Sequence, residues 1–215
     1  MIKRILIDHG HGGLVDGKYV TPGKRGTIED KTIYEGVLNR AQAHLLNYQL
    51  SLYGIPSEII APENEDTSLK ARVMRVNKIV VKKPEEFLLI SIHSNAFSSP
   101  KARGWEIWTS IGETMSDDLA PIFLKHFQNT FPEVPIRTGV SGVDKDGNFR
   151  VVTSTLCPAV LTEDLFMTSP EDFVLLADPI ELSHLVDYKL RAIAEIVGKK
   201  LDPRLSRVDH KEMVA

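Results

Sequence analysis

The chain has 215 residues, 42% of them hydrophobic and 26% charged, and its 26 basic and 29 acidic side chains leave a formal charge of −3. That size and balance fit one globular domain with a sizeable core, and they exclude a disordered, collagenous or coiled-coil chain. No basic block makes an electrostatic case for nucleic acid or an anionic membrane as partner, and no apolar run approaches the roughly 20 residues of a membrane-crossing helix. Cys157 is the single cysteine, so an intrachain disulfide, a Cys-rich zinc knuckle and a redox pair are all ruled out. Asp8 comes too early for the apolar region of a secretory signal, and the expectation is a chain without a signal peptide.

Ile2 to Asp8 is an apolar run entering His9-Gly10-His11-Gly12-Gly13, the pattern of a buried strand that ends in a glycine-rich turn. Residues 14–31 are polar, with Gly17, Pro22, Gly23 and Gly26, and read as a long loop. Leu38, Ala41, Leu45, Tyr48 and Leu52 recur at helical spacing and predict a helix over 32–53, which Gly54 ends. A strand over 57–61 follows, then a helix over 68–81 with Leu69, Val73, Val76 and Val80 on one face, then a strand over 87–92. Trp105 to Thr109 alternates as a strand, and Met115, Leu119, Ile122, Phe123 and Phe127 outline a helix whose early turns contain Pro121. Residues 131–148 show little period and read as a second long loop. Val151-Val152 and residues 159–162 read as the last strands, and Leu182, Leu185, Val186, Leu190, Ile193, Ala194 and Val197 mark a final helix closed by Asp202-Pro203. The predicted organisation is a catalytic domain over 1–201 and a polar tail over 202–215.

Strands alternating with helices predict an α/β fold: a single domain with about six strands in a central sheet flanked by helices. In such sheets ligands gather outside the carboxyl ends of the strands. The first strand ends at His9 and His11, the third at His93, and the last at Glu163, while Glu35 near the start of the first helix can face the same rim. Two imidazoles and a carboxylate are a donor set for catalytic zinc, which uses three protein ligands and keeps a fourth position for water. His11, Glu35 and His93 supply it, with Glu29 as the rival for Glu35. Zinc polarises a carbonyl and acidifies water; a carboxylate outside the ligand set must then move a proton from water to the leaving amine, and Glu163 is the candidate.

Ile7-Asp8-His9-Gly10-His11-Gly12-Gly13, Glu35 followed by Asn39, Ser91-Ile92-His93-Ser94-Asn95-Ala96, and Ala159-Val160-Leu161-Thr162-Glu163-Asp164-Leu165-Phe166 resemble the zinc-dependent N-acetylmuramoyl-L-alanine amidases of the amidase-3 type. Leu69-Lys70-Ala71-Arg72 with Asn77, and Gly104-Trp105-Glu106, extend the resemblance to roughly residues 2–200. It implies a mixed, mostly parallel, helix-flanked sheet, one zinc ion, and hydrolysis of the amide joining the lactyl group of N-acetylmuramic acid to L-alanine in peptidoglycan. It also implies His11, Glu35 and His93 as zinc ligands and Glu163 as the acid/base, and Asn95 in the third motif is the expected substrate-binding side chain. Two positions depart from the family: His9, a second imidazole near the metal, where motif position favours His11, and Asp164, which on a strand points to the face opposite Glu163.

Trp105 and Trp108 read as core residues, His126 as structural, and Asp144-Lys145-Asp146-Gly147-Asn148 as a turn, since no bidentate Glu follows at calcium-loop spacing. The expected partner is peptidoglycan at the cell wall or periplasm, with no nucleic acid, membrane or obligatory protein activator, as suits a phage or prophage endolysin. The competing functions are a zinc amidohydrolase or carboxypeptidase acting on small N-acyl amino acids or peptides, and a wall-binding module without turnover.

Overall fold

The computed structural model describes residues 1–140 and 142–202. In chain order the first half carries β1 (Arg4–Asp8), β2 (Leu14–Val15), β3 (Lys18–Tyr19), β4 (Arg25–Ile28), β5 (Lys31–Tyr34), α1 (Glu35–Leu52), β6 (Ser57–Ile59), α2 (Leu69–Val80) and β7 (Phe87–Asn95). The second half carries β8 (Trp105–Thr109), α3 (Met115–Thr130), β9 (Lys145–Asp146), α4 (Arg150–Thr153), β10 (Ala159–Phe166), α5 (Pro170–Ala177) and α6 (Pro179–Ile196). The central sheet has six strands in the order β6-β1-β7-β10-β8-β9. β6, β1, β7 and β10 run parallel, β8 is antiparallel to β10, and β9 is parallel to β8. This is the mixed, mostly parallel α/β sheet that the sequence predicts.

Both faces of the sheet are covered, which explains why the central strands are apolar almost throughout. Ile5, Ile7, Leu88, Ile90, Ile92, Val160, Trp105 and Ile107 join the larger cluster with α1, α3 and α6, while Leu6, Leu89 and Leu161 join the smaller one with Val76 and Val80 of α2 and Val151 and Val152 of α4. Successive residues of a strand point to opposite faces, so Asp8, His93, Glu163 and Glu106 lie on the α2 side.

Several elements differ from expectation for identifiable reasons. Residues 14–34 hold two hairpins, β2-β3 and β4-β5, rather than a loop and the first turn of the helix predicted from residue 32, which begins at Glu35. Asp16 (φ 49°) and Gly17 (φ 73°) form the first turn, an Asp-Gly pair of the kind that favours two-residue hairpins. Val151 and Val152 lie in the single-turn helix α4, because an apolar pair is too short to carry a period. Lys145 and Asp146 form β9 instead of a turn. Helix α5 was not predicted, although Ser169-Pro170-Glu171-Asp172 is a helix-start pattern. Pro121 sits inside α3 on its exposed side, where Leu119, Ala120, Phe123 and Phe127 bury the opposite face and a Thr114–Asp117 capping box fixes the start.

The buried stripe of α1 is also rotated from the predicted one. Leu38, Asn39, Gln42, Ala43, Leu46 and Leu50 are buried, while Tyr48 and Leu52 are exposed. On α2, Leu69 is exposed and Arg72 takes its place beside Val73, Val76 and Val80. Trp105 is in the core and Trp108 is half-buried. No helix of the described residues is long and apolar enough to cross a membrane. Of the predicted polar tail, residues 203–215 lie outside the described residues.

Candidate metal centre

β1 delivers the chain into the glycine-rich turn at the carboxyl edge of the sheet, and two tight approaches shape that turn. Gly10 (φ 52°) lies against His93, so a Cβ there would come within 2.3 Å of Cε1 of the imidazole. Gly36 lies against the backbone of Gly12, whose carbonyl oxygen would be 1.9 Å from an added Cβ. Only glycine lets the start of α1 and the turn after β1 pack this closely. Between these glycines, His11 itself is held at φ 35°, a region that non-glycine residues rarely occupy.

Glu35 is the first residue of α1 and faces the turn, its backbone N–H bonded to the carbonyl of Lys24, the residue just before β4. One oxygen, Oε1, accepts from both imidazoles: His93 Nδ1 at 2.9 Å and His11 Nε2 at 3.2 Å. The two rings meet edge to face with centroids 5.0 Å apart. His11, Glu35 and His93 each present one ligand atom within 4.8 Å of the others. Burial alone would keep Glu35 protonated, but the two imidazole hydrogen bonds and charges reverse this and hold its carboxyl well below the usual range. Burial likewise opposes a charged His93, and Glu35, Glu163 and Asp8 together outweigh it, so its pKa is raised.

Glu163 sits on β10 directly beside His93 on β7, in the register Glu163–His93. It is half-buried, and its Oε2 is shut off from solvent with no hydrogen-bond partner. Burial pushes its carboxyl up to about 8; the His93 charge pulls it down, and the nearby carboxylates of Glu35, Glu106 and Asp164 push it up further. Beyond Glu163 the strand bulges, with Leu165 at φ 67°, a device that often re-aims side chains beside sites.

The remaining expectations fall into place around this group. His9 is fully buried and committed elsewhere: Nδ1 lies 2.8 Å from the Gly10 carbonyl, and Nε2 meets both the Ala61 carbonyl and Arg40 Nη1, the latter at 2.7 Å. Burial and the Arg40 charge keep it neutral despite its bond to Gly10. Glu29 lies at the tip of the β4-β5 hairpin and takes no part in the cluster. Asn95 closes β7, donating from Nδ2 to Glu106 Oε2 at 3.3 Å and accepting from the Ala96 N–H at 2.8 Å. Asp164 points to the opposite face, where Lys189 and Tyr188 of α6 bond it at 2.5 Å each. His126 pairs with Glu195 between α3 and α6. The carboxylates of Asp117, Asp144 and Asp146 also lie together, but Asp117 is engaged by Thr114 in the α3 cap and by Thr109, and Asp144 by Thr109.

Sequence reasoning assigned no role to two groups. Arg72 bonds Asp8 through Nη1 and the His11 carbonyl through Nη2 at 3.0 Å, and its signal was an arginine within the apolar face of α2. Glu106 sits beside Glu163 across β8 and β10, and its signal was a charged residue in an otherwise apolar strand, Trp105-Glu106-Ile107-Trp108.

The N-acetylmuramoyl-L-alanine amidase family Amidase_3 matches the chain over residues 5–195. The endolysin of Bacillus phage SPP1 is 22% identical over 201 residues, 93% of this chain and 68% of that protein. The N-acetylmuramoyl-L-alanine amidase AmiC of Neisseria meningitidis serogroup B is 30% identical over 154 residues, 71% of this chain and 32% of that protein. The chain therefore spans about a third of the second relative's length. Among solved structures, the catalytic domain of CwlV, an N-acetylmuramoyl-L-alanine amidase from Bacillus (Paenibacillus) polymyxa var. colistinus, matches with a TM-score of 0.74 and 22% identity, covering 93% of this chain and 100% of that one. At that identity the likeness is one of fold.

Proposed function

The chain belongs to the Amidase_3 family of N-acetylmuramoyl-L-alanine amidases, and on that premise we propose that it cleaves the amide between the lactyl group of N-acetylmuramic acid and L-alanine in peptidoglycan, with one zinc ion held by His11, Glu35 and His93. The observation that carries this reading is the convergence of those three ligand atoms within 4.8 Å, beside a carboxyl group with an unpartnered buried oxygen. Two imidazoles and one carboxylate match the donor set of catalytic zinc hydrolases. When bound, zinc supplies Lewis-acid polarisation of the amide carbonyl and of water.

Glu163 then has the proton work. Its oxygen accepts a proton from the attacking water and delivers it to the α-amine of the departing L-alanine, which must leave protonated. Burial pushes this carboxyl up to about 8 in the metal-free chain; the base role uses its ionised form, which the positive charge of a bound zinc would favour. Glu35 stays ionised, as a ligand must, and in the metal-free chain its Oε1 bonds both histidine rings. Asn95 keeps one amide N–H on Glu106 and has a second for substrate.

His11 and His93 side chains remain 17% and 14% exposed, which supports turnover by the isolated chain without a protein activator. The likeness to a phage endolysin supports a lytic role at the wall. The test is digestion of purified peptidoglycan by metal-replete protein, chelated protein and Glu163→Gln, with mass spectrometry of the released material. Stem peptides beginning with L-alanine are expected from the first alone, with Glu163→Gln still holding zinc. Release of shortened stems or of glycan fragments instead would assign another bond, and wall binding without any release would make the chain a binder.

A further inference from the structure

His93, Glu163 and Glu106 stand side by side across three neighbouring strands, paired as Glu163–His93 and Glu163–Glu106. Glu106 is almost wholly buried and saturated. Oε1 accepts from Arg137 Nε at 2.6 Å and Lys145 Nζ at 2.9 Å, and Oε2 accepts from Trp108 Nε1 at 3.1 Å and Asn95 Nδ2 at 3.3 Å. One carboxylate thus faces two cations, and the group carries a surplus positive charge at the edge of the proposed catalytic centre.

The cations are braced rather than loose. The Arg137 guanidinium packs 5.1 Å from the centroid of Phe166, and Lys145 Nζ lies 5.0 Å from that of Trp108. The Arg137 side chain is 42% exposed, and among the described residues only its Nε is bonded to an acceptor, leaving both Nη groups free. Of the two acidic residues that flank Lys145, Asp144 accepts from Thr109, and Asp146 is paired in register with Thr109 and so points away from the face of Trp108. A planar guanidinium with two free N–H pairs, fixed at its root, is built to take a carboxylate.

We infer that Arg137 and Lys145 form an anion subsite that receives a free carboxylate of the stem peptide, so that the chain prefers acidic stems to amidated ones. The inference rests on the amidase reading above. Under that reading the muramic lactyl carboxyl is consumed in the scissile amide and the hexosamines are N-acetylated, so the substrate's negative charge lies on the peptide. The basic pair therefore marks the side of the site on which the peptide lies.

The test uses two synthetic N-acetylmuramoyl-peptides that differ only in a free carboxylate or a carboxamide on the second residue. The unaltered chain is expected to favour the carboxylate form by roughly tenfold in kcat/KM, mostly through KM, the size of one charge-assisted hydrogen bond. Arg137→Gln is expected to bring the ratio near one and Arg137→Lys to restore part of it; a merely structural arginine would depress both substrates alike and leave the ratio intact. Lys145→Gln, at a more peripheral position, tests the same ratio should Arg137→Gln fail to fold. A ratio of one in the unaltered chain, or a ratio that survives both substitutions, overturns the subsite. Equilibrium binding of the two peptides to Glu163→Gln separates the two readings. Equal affinity overturns the subsite, whereas a preference for the carboxylate without hydrolysis by the unaltered chain overturns the amidase reading and leaves the subsite standing.

Discussion

Arg72 ties the backbone of His11 to the carboxylate of Asp8: Nη2 donates to the His11 carbonyl at 3.0 Å while Nη1 engages Asp8, itself bonded by Ser91 at 2.7 Å. The guanidinium holds His11 in its left-handed conformation, which would otherwise cost on the order of 1 kcal/mol. Burial favours a neutral Asp8, but Arg72 and His93 keep it ionised. Arg72→Met should therefore strand a buried charge and destabilise the fold by about 3–5 kcal/mol. It should also weaken zinc binding roughly 10- to 100-fold, as loss of supporting contacts typically does. Denaturant unfolding and zinc titration read the two effects separately; an unchanged zinc affinity would mean that His11 needs no such clamp.

Gly10 and Gly54 both have positive φ, 52° and 64°, but only Gly10 is crowded. An alanine at 10 would drive its Cβ into the His93 ring, while the space around Gly54 is open. Gly10→Ala is expected to lower zinc affinity about 10-fold or more and stability by about 2 kcal/mol. Gly54→Ala should pay only backbone strain, about 1 kcal/mol, with zinc affinity intact. If the two variants bind zinc equally well, the packing of Gly10 against His93 does not position the ligand.

The order of strands and helices was legible because β1, β7 and β10 are buried on both faces and their sequences are correspondingly apolar. The ligand trio was legible for a related reason: His11 follows the end of β1, His93 lies near the end of β7 and Glu35 opens α1, and the carboxyl ends of strands in an α/β sheet form the ligand-binding rim. What stayed hidden depends on side chains that satisfy one another across long sequence distances. The stripe of α1 was misread because Asn39 and Gln42 are buried while Tyr48 and Leu52 are exposed; Gln42 belongs inside because Lys189, 147 residues away, donates to its Oε1. Arg72 and Glu106 were missed likewise, since a charge inside an apolar face has meaning only once its partners, Asp8 and Arg137, are known.

Lys189 and Asp164 form a fully buried ion pair behind the catalytic strand, 2.5 Å apart. Lys189 Nζ also donates to Gln42 and the Leu185 carbonyl, and Asp164 also accepts from Tyr188. Lys189→Met should leave Asp164 charged in the core and destabilise the protein by about 3–5 kcal/mol, whereas Lys189→Met with Asp164→Leu should recover much of that loss. Thermal or denaturant unfolding of the unaltered chain, Lys189→Met, Asp164→Leu and the double variant gives the coupling. Strict additivity of the two substitutions would show that the pair is no interacting unit.

Glu163 makes the metal-free protein's stability depend on pH in a predictable direction. Its carboxyl is pushed up to about 8 from 4.5, so between those values the folded chain keeps a proton that the unfolded chain has released. Stability contributed by the neutral carboxyl is therefore fully present below about pH 4.5, falls as pH rises, and levels off above about pH 8. Glu163→Gln cannot ionise and removes this slope. His93, whose pKa is also raised, pulls the same way; Glu163 contributes to that rise, so the difference between the chains reads Glu163 together with its charge coupling to His93. The stability of the unaltered chain relative to Glu163→Gln, measured by denaturant unfolding in chelator, should fall by on the order of 5 kcal/mol across that window. Parallel profiles for the two chains would put the carboxyl in the ordinary range and remove Glu163 as a proton carrier tuned to neutral pH.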